Sequence, residues 1–203
     1  GDSYSREFDI PASVRKGPVY AFIERAMGSY SQWNFITNPE FDTLTGWTAA
    51  TVTASLYSQQ SADLIVPKYG NTCTRILVNG STTGIYSQPV ASMANGITAA
   101  LSAGRKMTLG MWVYNATATT TTRIFIQDDG TTHYSATHGG AGGELLTVSA
   151  VIDGDNATLL TAGINATTTT SDKGIVFAER SWLYYGDSGR VTSIYPTRAT
   201  ARI

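Results

Sequence analysis

The stretch NFITNPEFDTLTGWT, residues 34–48, decides the fold prediction. Pro39 fixes its own φ and moves the preceding asparagine out of the helical region, so the chain turns after a short apolar pair. Phe41 follows as an expected buried residue, and Gly46 supplies the backbone freedom for a second turn. Trp47 then offers a large apolar surface for one end of a core. The stretch predicts the opening of a β-sandwich domain.

Alternation of apolar and polar residues continues downstream of this opening. In TAATVTASLYS, Val52, Ala54 and Leu56 share one face of a predicted strand. Turn-forming Gly, Asn and Asp residues separate the other strand candidates, which lie at 62–67, 73–79, 83–90, 106–115, 123–128, 144–153, 157–164 and 174–185. Many short strands with little helix between them predict an all-β fold, an antiparallel β-sandwich of the jelly-roll type.

The two ends of the chain differ from this pattern. Pro18 opens a run of apolar residues at helical spacing that closes near Gly28, which predicts a short amphipathic N-terminal helix. A helix this short needs a surface to pack on, either the body of the domain or the same helix of neighbouring chains. We therefore predict an N-terminal linker and helix over residues 1–33, a jelly-roll domain over 34–187 and a C-terminal tail over 188–203.

The composition narrows the function classes. Of the 203 residues, 14% are charged and the formal net charge is −1, so the sequence has no excess of basic residues of the kind that nucleic-acid binding requires. No apolar run approaches the roughly 18 residues of a membrane span, and no apolar signal-peptide segment is recognised. We expect neither a nucleic-acid partner nor membrane insertion. The single cysteine, Cys73, lies in a strand candidate and is expected to be a small buried hydrophobe.

Two strand candidates carry the side chains that sugar binding requires, which are aromatic rings for the C–H-rich faces of pyranoses and polar groups for their hydroxyls. In KMTLGMWVYN, the inward apolar residues leave Trp112 and Tyr114 on the other face. In RIFIQD, the outward residues are Arg123, Phe125 and Gln127. If the two strands are neighbours, these residues form one carbohydrate-binding face. In the alternative, both faces of the first strand are covered and its aromatic pair is structural, since tryptophan is mostly buried.

Other polar residues carry no catalytic or metal signature. His133 and His138 have a spacing that suits no metal pair and are expected in a surface loop. The Asp-Gly sequences at 128–130 and 153–156 resemble calcium loops but are expected to be hairpin turns. Glu179 is expected to form a structural ion pair. No nucleophile elbow, phosphate loop or zinc motif is present, so we expect a non-catalytic fragment without a cofactor.

The order of NPEFDTLTGW, TRILVNGSTTGIYSQPV, MTLGMWVYN and WLYYGD resembles the jelly-roll carbohydrate-binding modules attached to glycan-degrading enzymes and to bacteriophage tail proteins. The family often carries a structural calcium, but no ligand set is matched here residue by residue. With the appended helix, the low charge and the C-terminal tail, the resemblance implies the C-terminal part of a phage tailspike or tail fibre. It implies a homotrimer on the extracellular virion that recognises bacterial surface polysaccharide.

Three functions stay open on this resemblance. The first is a non-catalytic domain that binds carbohydrate, trimerises, or does both. The second is a purely structural domain that stabilises the trimer. The third is part of a polysaccharide depolymerase whose active site lies between subunits, with acids supplied by adjacent chains.

Overall fold

The computed structural model describes residues 34–58, 67, 72–79, 83–90, 102–128, 131–153, 160–169 and 173–186. Its strands are β1 (Thr48–Ala50), β2 (Val52–Ser58), β3 (Thr72–Val78), β4 (Thr83–Pro89), β5 (Lys106–Asn115), β6 (Thr120–Asp128), β7 (Thr131–Tyr134), β8 (His138–Gly139), β9 (Gly142–Val151), β10 (Leu160–Thr168) and β11 (Gly174–Tyr185). The predicted N-terminal helix, the C-terminal tail and most of the 62–67 strand candidate lie outside the described residues. Within them, no helix has the length and apolar character to cross a membrane.

The strands form two antiparallel sheets that face each other. The six-stranded sheet has the order β1-β4-β10-β6-β7, with β8 also pairing with β6. The five-stranded sheet has the order β2-β3-β11-β5-β9. The all-β sandwich prediction is confirmed.

The core lies between the two sheets. Each sheet contributes the inward residues of its central strands, among them Met107, Leu109, Met111 and Val113 of β5 and Ile124 and Ile126 of β6, all 0% exposed. The inward and outward sides of β5 and β6 are therefore those that alternation predicted. Burial of one such aliphatic side chain stabilises the fold by about 1.5–3 kcal/mol.

The opening stretch closes one end of the sandwich and contacts both sheets. Trp47 is buried and stacks on Tyr86 of β4, with ring centroids 5.2 Å apart and planes at 14°. Leu183 of β11 donates its backbone N–H to Asn34 Oδ1 at 3.0 Å, and Asn34 Nδ2 donates to the Ser181 carbonyl at 2.8 Å. Gln88 of β4 binds the backbone of the stretch from the other sheet. Phe41 and Trp47 are both buried in the core, as the sequence predicts.

A β-bulge in β11 reverses its inward side. The register with β5 shifts between Glu179 and Ser181, which leaves Arg180 as the extra residue, at φ 37°. Before the bulge Ala178 faces the core, and after it Leu183 does. Unbroken alternation would instead have turned even-numbered residues inward along the whole strand.

Candidate functional site

The five predicted site residues lie on the outer faces of opposite sheets. Trp112 and Tyr114 belong to β5 in the five-stranded sheet, whereas Arg123, Phe125 and Gln127 belong to β6 in the six-stranded sheet. The inward residues of both strands meet in one core, so their outward residues point away from each other. The condition that these strands be neighbours is not met, and the expected single face is wrong. We call the two surfaces the tryptophan face (outer face of β3, β11, β5 and β9) and the arginine face (outer face of β4, β10, β6 and β7).

On the arginine face, Arg123 is held by two contacts. Asn165 lies directly opposite in β10, and Arg123 Nε donates to its Oδ1 at 3.3 Å. The guanidinium carbon lies 3.6 Å from the centroid of the Tyr134 ring. Tyr134 is 40% exposed, with the guanidinium over one face of its ring. A cation–π contact at such a site contributes about 0.5–1 kcal/mol and orients both groups.

Phe125 contacts Tyr134 from the neighbouring strand β6. Its ring meets that of Tyr134 edge-on, with centroids 6.0 Å apart and planes at 60°. Opposite Phe125 in β10 is Gly163, where an added Cβ would lie 2.7 Å from Phe125 Cζ. The glycine therefore allows the phenyl ring to lie against the sheet. Because Phe125 is only 4% exposed, it positions Tyr134 and offers little surface of its own.

The rest of the arginine face is polar and uncharged. By alternation, the outward positions of its four strands carry hydroxyl, amide or apolar side chains and no carboxylate. Gln127 lies there, half-buried, with Thr161 and Thr132 directly opposite on either side. Asp128 faces the other way and is 0% exposed, and its Oδ2 accepts the backbone N–H of Asp153 at 2.6 Å.

The tryptophan face is a packed aromatic surface. Tyr114 is half-buried and contacts Phe177, with centroids 6.3 Å apart, and Phe177 contacts Tyr57 at 4.9 Å. The indole of Trp112, also half-buried, lies over Gly143, where an added Cβ would come 2.6 Å from Trp112 Cζ2. These rings are outside the inter-sheet core, but they pack on neighbouring side chains and backbone.

Cys73 lies on the same side of the five-stranded sheet. It is 0% exposed, as the sequence predicts for a small buried hydrophobe. Burial, and secondarily the nearby Glu179, raise the pKa of the Cys73 thiol to about 12. The thiol is therefore neutral and structural. The neighbouring Arg180 binds Glu40 of the opening stretch, Nε to Oε2 at 3.1 Å, while the ion pair predicted for Glu179 stays a prediction.

The two histidines do not lie in a surface loop, and that prediction is wrong. His138, in β8, is buried, with Nδ1 2.9 Å from Glu144 Oε2 and Nε2 2.8 Å from the Gly142 carbonyl. His133, in β7, has Nε2 3.1 Å from Asp128 Oδ1. Both are drawn into the fold because β7 and β8 pair with β6. Among the described residues, no group of His, Cys, Asp and Glu is arranged to hold a metal ion.

Tyr134 and Asn165 are not among the residues predicted from sequence. Tyr134 lies in GTTHYSATHGG, where apolar alternation is absent and no strand is predicted. Asn165 lies one residue beyond the predicted strand 157–164, whereas β10 continues to Thr168. The available signal for Asn165 is its place in the alternation of β10, between the inward Ile164 and Ala166.

Comparison with solved structures relates this geometry to known proteins. TmCBM61, solved in complex with β-1,4-galactotriose, has a TM-score of 0.52 at 11% identity, covering 76% of this chain and 99% of that one. The xylan-binding domain CBM22-2 of Paenibacillus barcinonensis Xyn10C has a TM-score of 0.51 at 10% identity, covering 73% and 98%. The chain thus has the jelly-roll fold of carbohydrate-binding modules, matched over nearly their whole length.

A viral protein shares this fold. The enzymatically active domain of tailspike protein 4 from bacteriophage CBA120 has a TM-score of 0.50 at 16% identity, covering 75% of this chain. The match spans only 21% of the tailspike chain. Neither protein-family models nor curated proteins match the sequence. The likeness is therefore one of fold.

Proposed function

We propose that this chain is a non-catalytic carbohydrate-binding module that binds polysaccharide on the arginine face. The observation that carries the proposal is the exposed ring of Tyr134, held at 3.6 Å by Arg123 on a face of hydroxyls and amides. Sugars are recognised by an aromatic ring against their C–H-rich face and by polar groups around it. The fold shared with TmCBM61 and the xylan-binding domain supports this function.

Each side chain of the face has a role in the proposal. Tyr134 stacks on a pyranose ring, while the Nη groups of Arg123 and the amide of Gln127 bind sugar hydroxyls or substituents. Among the described residues, the Arg123 side chain is hydrogen-bonded only through Nε, to Asn165. Phe125 and Asn165 lie beside these groups on adjacent strands, and their contacts hold Tyr134 and Arg123 in place. A site held in this way before the ligand arrives loses less conformational entropy on binding.

The proposed setting is the tail of a bacteriophage. The chain would be part of a trimeric tailspike or tail fibre, extracellular on the virion, with bacterial surface polysaccharide as its ligand. The fold shared with tailspike protein 4 supports this setting. The sequence pattern of residues 18–30 predicts an amphipathic helix, which in this proposal packs on the same helix of neighbouring chains. The domain boundaries at 1–33, 34–187 and 188–203 belong to the same proposal. Light scattering should give three times the mass of one chain, and a monomer would contradict the trimer.

The binding test compares variants on the two faces. Isothermal titration with host capsule or O-antigen fragments should show binding that Tyr134→Ala and Arg123→Ala remove while circular dichroism stays unchanged. Leu145→Ala is the matched control, because Leu145 is also 40% exposed but belongs to the tryptophan face. Loss of binding in Trp112→Ala, with Tyr134→Ala unaffected, would move the site to the tryptophan face. Release of reducing ends by this chain alone would contradict a non-catalytic role.

A structural function is the second candidate. It is favoured by the tryptophan face, where Tyr114, Phe177 and Tyr57 already pack on one another. A purely structural domain would bind no host glycan, yet truncation of these rings would dissociate the trimer. Mass measurement of Tyr114→Ala beside Tyr134→Ala separates the two functions. The structural function requires dissociation in the first variant only.

A further inference from the structure

We infer that the polysaccharide bound by the arginine face is acidic, and that Arg123 binds a carboxylate of the sugar through its Nη groups. The inference rests on the proposed function and adds the chemical class of the ligand. Three observations on the described residues carry it: Arg123 forms no ion pair among them, the outward positions of its own and the neighbouring strands carry no acid, and two contacts orient its guanidinium.

The first observation is the absence of a carboxylate partner. Arg123 contacts the neutral amide of Asn165 at 3.3 Å and the neutral ring of Tyr134. None of the residues that the structure describes forms an ion pair with it. By contrast, Arg180, also partly buried, binds the carboxylate of Glu40 at 3.1 Å. A partly desolvated guanidinium gains most from an anion, because Coulomb attraction strengthens as water is removed.

The second observation concerns the electrostatic character of the whole face. The outward positions of β4, β6, β7 and β10 contain no Asp or Glu, so nothing along these strands repels an approaching carboxylate. Asp128, the acid of β6, is turned inward. Its carboxylate contacts the backbone N–H of Asp153 and the imidazole of His133. Among the outward positions of these described strands, Arg123 carries the one formal charge, so these strands present a positive site.

The third observation is the orientation of the guanidinium. Its Nε is fixed by Asn165 and its plane by contact with Tyr134, which leaves the two Nη groups as a fork of donors. A carboxylate accepts such a fork with two parallel hydrogen bonds, whereas one sugar hydroxyl accepts only part of it. Tyr134 beside the fork gives the ring of the same sugar residue a surface on which to stack. The arrangement fits a uronic acid or another carboxylated sugar.

The test uses one polysaccharide in two forms. Wild-type protein is titrated with polygalacturonate oligomers and with the same oligomers after chemical reduction of their carboxyl groups, and with a panel of neutral and acidic bacterial polysaccharides. Acidic forms should bind about tenfold more tightly or better, since hydrogen bonds between charged groups are the stronger ones. Their affinity should also fall as ionic strength rises from about 0.05 M to about 0.5 M.

Two variants assign the effect to Arg123. Arg123→Gln should lose both the preference for acidic glycans and the salt dependence. Arg123→Lys should keep the salt dependence with weaker binding, because the charge stays but the fork is lost. Circular dichroism checks that both variants are folded.

The outcomes separate the inference from the proposed function. Equal or tighter binding of neutral glycans would overturn the acidic ligand and leave carbohydrate binding intact. Preference for a sulfated neutral polysaccharide over a carboxylated one would overturn the carboxylate assignment. If no polysaccharide of the panel binds, the proposed function fails and this inference fails with it.

Discussion

Thr37 and Gln88 exchange two hydrogen bonds at the end of the sandwich. The Thr37 N–H donates to Gln88 Oε1 at 3.0 Å, and Gln88 Nε2 donates to the Thr37 carbonyl at 3.2 Å. Gln88 is 0% exposed and its amide makes both of these bonds, although Thr37 itself is exposed. The Gln88 side chain of β4 thus pairs with both the backbone N–H and the backbone carbonyl of Thr37.

We expect Gln88→Leu to lower the free energy of unfolding by about 1–3 kcal/mol, because it removes two hydrogen bonds that contribute roughly 0.5–1.5 kcal/mol each. Urea denaturation followed by circular dichroism measures the change. Gln127→Leu is the control, since Gln127 is half-buried on the outer face and its loss should change stability by less than about 0.5 kcal/mol. Equal losses in the two variants would show that the Thr37 contact is not the cause.

Gly163→Ala should disturb the arginine face by displacing Phe125. An alanine Cβ would lie 2.7 Å from both Phe125 Cζ and Ser87 Cβ, so the phenyl ring must move and Tyr134 with it. We expect a loss of about 1–3 kcal/mol in stability, as for other overpacked sites. Glycan titration should also show weaker binding. Gly139→Ala is the matched control, because nothing lies within 4 Å of its added Cβ, and unchanged binding in Gly163→Ala would contradict the supporting role of Phe125.

Cys73 should be inert in the folded protein. Since burial raises the pKa of its thiol to about 12, iodoacetamide at about pH 8.5 should label Cys73 only after unfolding in urea. The raised pKa also sets a direction for stability. The contribution of the neutral thiol is complete below the unfolded pKa of about 9 and is lost as pH rises towards 12.

Comparison with Cys73→Ala isolates this contribution from other groups that titrate at alkaline pH. The variant should lose less stability than the wild type between pH 9 and pH 12, the interval between the ordinary and raised pKa values. Identical alkaline profiles, or fast labelling of the folded wild type, would contradict the burial of the thiol.

Substitution of Asn115 should also destabilise the fold. It is 0% exposed, and its Nδ2 donates to the Thr120 carbonyl at 3.1 Å and to the His138 carbonyl at 3.3 Å. The Thr122 hydroxyl donates to its Oδ1 at 2.6 Å. Asn115→Leu leaves these groups without their partner, and we expect a loss of about 1–3 kcal/mol in urea denaturation.

Proteolysis gives a second readout for the same variant, because Asn115 ties the segment around β8 to β5 and β6. Limited digestion should cut Asn115→Leu faster near residues 135–141 than wild type. Asn165→Leu offers a comparison, since Asn165 is nearly buried but its side chain bonds only Arg123 among the described residues. Similar digestion of all three proteins would refute the anchoring role.

The sequence predicts which side of a strand is buried better than which strands are neighbours. Alternation places Met111 and Ile124 inward correctly, because burial of apolar side chains acts on each strand separately. Pairing depends on the whole topology, and β5 and β6 follow each other in the chain yet belong to different sheets. For this reason the five predicted site residues are divided between two faces.

Backbone irregularities explain two further differences between the predicted and the observed strands. The predicted strand through TAATVTASLYS is interrupted at Thr51, at φ 60°, where β1 in one sheet gives way to β2 in the other. In β11, the extra residue Arg180 moves every later side chain to the opposite side of the sheet. Trp182 therefore faces outward and lies over Gly110. A single residue in an unusual conformation has no periodic pattern in the sequence, so the alternation of apolar residues does not predict it.

The two anchors of the opening stretch have a mechanical consequence. Asn34 is bonded to β11 of the five-stranded sheet, and three residues later Thr37 is bonded to β4 of the six-stranded sheet. A pulling force applied to the chain at Asn34 is therefore shared by both sheets instead of peeling one from the other. Pulling this end of the domain away would therefore have to break bonds to both sheets.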